Sequence, residues 1–172
     1  MKQVYLLTGQ PGTGKTSIIK QAIAEVKGRA GGFYTEEIRS QGVRQGFRLV
    51  TLDGQTATLA HINFPSPYRV SKYGVDIDNL DKVGVAALSQ AADECDLVVV
   101  DEIGKMELFS DRFRETVQSI ISSGKKLLGT IMLSTNPYAD AIKRQPQVNV
   151  ITVTRTNHEQ VLEALRNWLN AP

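Results

Sequence analysis

The chain has 172 residues, 41% hydrophobic and 22% charged, which suits one globular domain spanning residues 1–172 around a full apolar core. Lys and Arg number 20 against 18 acids, a formal charge of +2 that is not the footprint of a dedicated nucleic-acid binder. One cysteine, Cys95, excludes an intrachain disulfide, and no run approaches the roughly 20 apolar residues of a membrane span. The opening MKQVYLLTGQ has too short an apolar run for a signal peptide, so a cytoplasmic protein is expected.

In chain order, Val4 to Leu7 reads as a buried strand ending at GQPGTGKT, residues 9–16. That stretch has the spacing G-x-x-x-x-G-K-T, a phosphate loop. Glycines at 9, 12 and 14 let the backbone curl so that several N–H groups face one anion. The following helix adds its N-terminal dipole. Lys15 suits the β- and γ-phosphates, and the Thr16 hydroxyl suits Mg²⁺. Ile18, Ile19, Ala22, Ile23 and Val26 form the apolar face of this helix, which is expected to stop near Gly28.

Residues 31–62 are rich in Phe, Tyr, Val and Thr, broken by SQG and DG, and read as antiparallel hairpins. The stretch NFPSPYRVSKYGVDID lacks a pattern and is expected to be a loop or lid. A helix is expected from about Leu80 to Asp93, then the strand LVVVD. Ser110 is placed to cap a helix facing inward through Phe113, Val117, Ile120 and Ile121. KKLLGTIML and VNVITV are further strands, with PYADAIKRQ a short helix between them. Thr156 and Glu159 have capping-box spacing before a helix that buries Val161, Leu162, Leu165, Trp168 and Leu169. Apolar strands alternating with helices predict an α/β fold, a mainly parallel sheet covered on both faces, with the hairpins as an antiparallel extension.

LVVVDEIG supplies the second anchor of a nucleotide site. Four apolar residues end in Asp101 at the C-terminal edge of the sheet, where open α/β folds bind ligands. Asp101 suits a Walker-B carboxylate holding Mg²⁺ through water. Glu102 is suited to orienting and deprotonating a water facing the γ-phosphate. DEIG also fits the D-x-x-G switch of GTPases, but TVTRTNHEQ lacks the N-K-x-D form that reads guanine. Arg39, Arg44, Arg48, Arg69 and Lys72 are material for clamping a phosphorylated acceptor, as a kinase requires. Glu36 and Glu37 alternate across a strand, so at most one faces the site.

Several stretches together resemble the THEP1-type, or cancer-related, nucleoside-triphosphatases: GFYTEEIR, GFRLVTLDG, RVSKYGVD, DEIGKMELFS and LLGTI, along with the phosphate loop. The resemblance spans almost the whole chain. It implies a RecA-like P-loop fold that hydrolyses ATP, GTP, CTP and UTP to the diphosphate and phosphate with Mg²⁺. It assigns nucleotide contact to Gly9, Gln10, Pro11, Gly12, Thr13, Gly14, Lys15 and Thr16, and to Asp101 and Glu102. Lys15 and Glu102 carry the catalytic roles, and Thr16 and Asp101 the metal. The chain departs from the pattern in two places: Asn157-His158 stands where Asn-Arg is common, and Ser71 where glycine is usual. A nucleoside or small-molecule kinase, and a nucleotide-gated module acting on RNA or protein, are the competing readings. Oligomeric state is left open.

Overall fold

The structure, a computed structural model, describes residues 2–172. Five strands form the parallel part of its sheet: β1 (Val4–Thr8), β2 (Ala30–Ser40), β7 (Leu97–Ile103), β8 (Lys126–Ile131) and β9 (Val148–Thr152). Between β2 and β7 in the sequence lie β3 (Val43–Thr51), β4 (Thr56–His61), β5 (Arg69–Val70) and β6 (Tyr73–Val75). All nine pair into one sheet in the order β5-β6-β4-β3-β2-β7-β8-β1-β9. β2 belongs to both halves. Its first residues run parallel to β7, with Tyr34 opposite Asp101, and its later ones run antiparallel to β3.

Alternation along the parallel strands divides the core in two. Leu6, Val98, Val100 and Leu127 join one buried cluster, while Leu7, Leu97, Val99 and Leu128 join the other. Successive side chains of a strand point to opposite faces, so both faces need helices. On one face lie α3 (Ala86–Glu94) and α4 (Asp111–Ser123), which contributes Phe113, Val117, Ile120 and Ile121 to the first cluster. On the other lie α1 (Lys15–Ala24) and α6 (His158–Leu169), which bury Ile18, Ile19, Leu162 and Leu165. Tyr5 of β1 stacks on Trp168 of α6 at 4.3 Å between ring centroids. A two-pronged bond from Arg166 to Glu25 ties α6 to the end of α1. Burial of each such Leu or Ile contributes about 2 kcal/mol.

The local signals behave mostly as their chemistry predicts. Ser110 caps α4, accepting from the Phe113 amide at 3.0 Å. Asn136 caps the short helix α5 (Pro137–Lys143). The residues expected as a loop or lid instead contain β5 and β6, a tight hairpin on the sheet edge whose turn holds Ser71 at φ +54°. That left-handed conformation costs a residue with a Cβ about 1 kcal/mol, which explains why glycine suits the position. α1 ends at Ala24, before the expected stop at Gly28. The Thr156 capping box does not form: Asn157 begins α6, and its side chain instead accepts from the Thr154 amide and donates to the Thr152 carbonyl. The helix before β7 starts earlier than expected, as α2 (Ile77–Asn79), with a π-helical segment (Leu80–Val85) leading into α3.

Candidate nucleotide site

The loop from Gly9 to Thr16 joins the end of β1 to the start of α1, with Gly14 at φ +91° as the residue before the helix. Gly9 has φ +148°, and a Cβ there would lie 2.5 Å from the Val153 carbonyl oxygen. Only glycine accepts that conformation and that approach. Thr13 Oγ1 donates to the Gln10 carbonyl at 2.9 Å. Lys15 Nζ curls back and donates to the Gly9 and Gln10 carbonyls at 2.8 and 3.0 Å. Pro11 and Gly12 stand exposed at the tip.

Asp101 meets this loop. Its buried carboxylate accepts from Thr16 Oγ1 at 2.7 Å and from Thr130 Oγ1 of β8 at 2.5 Å. Burial raises its pKa, and the Thr130 and Thr16 hydroxyls offset part of that rise. The β7–β8 register explains the presentation. Val100 faces Gly129 and Ile103 faces Ile131, so Asp101 and Glu102 together stand opposite Thr130, a bulge that re-aims side chains at a strand end. The Asp101–Glu102 peptide is cis.

Glu102 turns to a different neighbour. A Cβ added at Gly104 would lie 2.5 Å from Glu102 Oε1 and 3.1 Å from Glu107 Oε1, so two carboxyl groups crowd the side of this glycine. Glu107 is only 4% exposed. Burial pushes its carboxyl well above the usual 4.5, and the charge of Glu102 pushes the same way. Burial and then the Asp101 charge raise Glu102, while Lys15 lowers it. Sequence reading named Glu107 only as a fallback for the catalytic carboxylate and did not foresee its burial, because a glutamate in a charged stretch carries no mark of it, and it gave Thr130 no role. The hydroxyl and carboxylate oxygens of Thr16 and Asp101 are hard donors suited to Mg²⁺. No group of three or more His, Cys, Asp or Glu gathers for a metal among the described residues. A cation here therefore has to draw its remaining ligands from phosphate and water, which is how Mg²⁺ is usually bound.

The basic residues offered for an acceptor clamp are engaged elsewhere. Arg39 and Arg44 pair with Glu37, and Arg48 lies 3.6 Å from Glu36. Arg44 also donates to the Tyr73 hydroxyl, and Arg69 to the Phe64 and Lys72 carbonyls. Lys72 lies over the Tyr73 ring. Glu36 and Glu37 are thereby held by these arginines. At the far side of the loop, His158 rests on Gly14. A Cβ at Gly14 would lie 2.6 Å from its Cε1, and its Nε2 is buried without a hydrogen-bond partner among the described residues.

A glycine loop between strand and helix, bonded through its last threonine to an aspartate at the end of another parallel strand, defines a P-loop NTPase fold. The family model described as NTPase matches residues 4–166. The chain is 44% identical over 164 residues to the nucleoside-triphosphatase THEP1 of Thermotoga sp. (strain RQ2), covering 95% of this chain and 94% of that one. It is 37% identical over 179 residues to a cancer-related nucleoside-triphosphatase homolog of Mus musculus, covering 94% of each. The crystal structure of THEP1 from the hyperthermophile Aquifex aeolicus superposes with a TM-score of 0.89 at 32% identity, covering 98% of this chain and 99% of that one. The chain belongs to the THEP1-type nucleoside-triphosphatase family, a family of enzymes.

Proposed function

We propose that this chain is a Mg²⁺-dependent nucleoside-triphosphatase of broad base tolerance, converting ATP, GTP, CTP and UTP to the diphosphate and phosphate in the cytoplasm. The bond between Thr16 and Asp101 carries this reading, because it joins the phosphate loop to the carboxylate that a metal–nucleotide complex needs. Gly9 through Thr16 hold the phosphates by backbone N–H groups and the α1 dipole. Lys15 leaves the Gly9 and Gln10 carbonyls for the β- and γ-phosphate oxygens, a stronger charge-assisted pairing. Thr16 and Asp101 would hold Mg²⁺, which would supply positive charge to offset that of the phosphates. Glu102, one residue beyond, orients a water toward the γ-phosphorus and takes its proton.

Base tolerance follows from what the site lacks and what its loop residues already do. Asn157, the amide nearest the position where guanine is read in switch GTPases, has its side chain tied to Thr154 and Thr152. A group so engaged is not free to discriminate bases. No helix among the described residues is long and apolar enough to cross a membrane. Incubation with Mg-ATP alone is the test. Sustained release of inorganic phosphate, abolished by chelation, is expected. Turnover that requires an added protein or RNA would instead favour a nucleotide-gated binding module.

A further inference from the structure

Beside Glu102 lies a cavity of about 500 Å³. A single attacking water occupies roughly 30 Å³, so the space far exceeds what hydrolysis needs. It falls within the usual range for small organic ligands. The antiparallel strands build its outer wall, through Phe47 of β3, Leu59 of β4 and Val70 of β5, and Met132 lies just past the end of β8. Glu102 and Glu107 form its acidic floor, and Thr35, Ser134, Thr135 and Asn136 add neutral polar lining. Aliphatic and aromatic walls over two converging carboxyl groups make a site for an apolar body that carries a hydrogen-bonding head.

We propose that this cavity receives an uncharged, unphosphorylated alcohol whose hydroxyl takes the place of the attacking water. The inference rests on the hydrolytic reading of the same site and extends it to a second substrate. Three observations select this ligand class. The acidic floor repels an anion, and no arginine among the described residues lines the cavity, so the clamp a phosphorylated acceptor needs is not built into its wall. Lys105, exposed at the rim, is the one cation among the described residues that lines the cavity. A hydroxyl matches the pair on the floor: it donates to the Glu102 carboxyl as the attacking water does, and the Glu107 carboxyl converges on the same place.

The step balances without further reagents. The alcohol oxygen attacks the γ-phosphorus, forming a C–O–P ester, and the bond from γ-phosphorus to the bridging oxygen breaks. The nucleoside diphosphate leaves with that electron pair. The alcohol proton passes to Glu102 and then to solvent.

The test is a partition experiment followed by ³¹P NMR, with Mg-ATP and increasing benzyl alcohol, ethanol, or benzylamine as the cationic counterpart. Benzyl phosphate is expected beside inorganic phosphate, saturating with benzyl alcohol. At equal concentration, the ester-to-phosphate ratio should exceed that for ethanol by about tenfold, as burial of a phenyl group in an apolar pocket predicts. Val70→Trp, which fills the cavity from the edge hairpin, should lower that ratio at least several-fold. Because ester and phosphate are read in one reaction, a general loss of activity leaves the ratio unaffected. Ester in proportion to bulk alcohol only, inhibition without ester, or transfer to benzylamine in preference to benzyl alcohol overturns the proposal. Phosphate without ester leaves hydrolysis standing and removes the second substrate. Ester without any phosphate in alcohol-free reactions does the reverse.

Discussion

Thr16 Oγ1 donates to Asp101 Oδ2 across 2.7 Å, although 85 positions separate the two residues in the chain. A helix start and a strand end are thereby held together before any nucleotide arrives. Thr130 grips the other carboxylate oxygen, so two neutral hydroxyls, and no salt bridge among the described residues, hold a buried acid in place.

Thr130→Val keeps the shape and removes that second grip. Oδ1 of Asp101 is then buried without its donor, a defect worth about 1–3 kcal/mol. The urea midpoint should fall accordingly, and half-maximal hydrolysis should need more Mg²⁺. An unchanged midpoint together with an unchanged metal titration means that Thr130 does not position Asp101.

Glu102→Gln retains the size of the side chain and loses its basicity. Nucleotide affinity should survive, because the loop and Lys15 are untouched, while single-turnover hydrolysis should fall roughly 10²–10⁴-fold. Lys15→Ala should weaken affinity as well as turnover, since its charge serves ground and transition states alike. Near-normal hydrolysis by Glu102→Gln moves the base to another carboxylate, with Glu107 the nearest buried candidate.

Stability should depend on pH in an unusual direction. Burial raises Glu107 well above 4.5, so the folded protein keeps a proton that the unfolded chain releases. Its contribution to stability is therefore full below about 4.5, the ordinary carboxylate value, and is lost as pH climbs through the higher folded value. Asp101 and Glu102 are raised too and act in the same sense. In nucleotide-free protein, Tm should decline from mildly acidic to mildly alkaline buffer, and Glu107→Gln should flatten that decline. A slope unaffected by the substitution assigns the proton to Glu102 or Asp101.

The four common triphosphates should be hydrolysed with kcat/KM values within about an order of magnitude of one another. Discrimination of ~10³-fold or more requires a buried hydrogen-bonding pocket for one base. His158, whose Nε2 has no hydrogen-bond partner among the described residues and lies beside Gly14, is the first residue to substitute if such a preference appears.

Much of this was legible in the residues. The parallel strands follow from apolar runs such as Val4 to Leu7 and LVVV, and DEIG next to LVVV marks the sheet edge beside the loop. Edge structure was not legible, because β5 has only two residues and no room for a period. The Thr156 cap did not form because α6 starts one residue later, with Asn157 before its first residue and the Asn157 side chain turned back to Thr154 and Thr152. The burial of Glu107 was not legible for a different reason: its carboxyl stands against Gly104 beside Glu102, a relation that no local pattern encodes.

One consequence follows from the double allegiance of β2. Tyr34 sits opposite Asp101, while three residues later Glu37 sits opposite Phe47 in the antiparallel half. From that point to β6 the chain is an excursion that returns only at Asp76, where it re-enters the helical layer. The pairings among β1, β2, β7, β8 and β9 include no residue of the turns at 52–55 or 62–68. The excursion is thus a graft site: its walls are open to redesign by insertion or exchange, while the strands that carry Asp101 and the phosphate loop remain as they are.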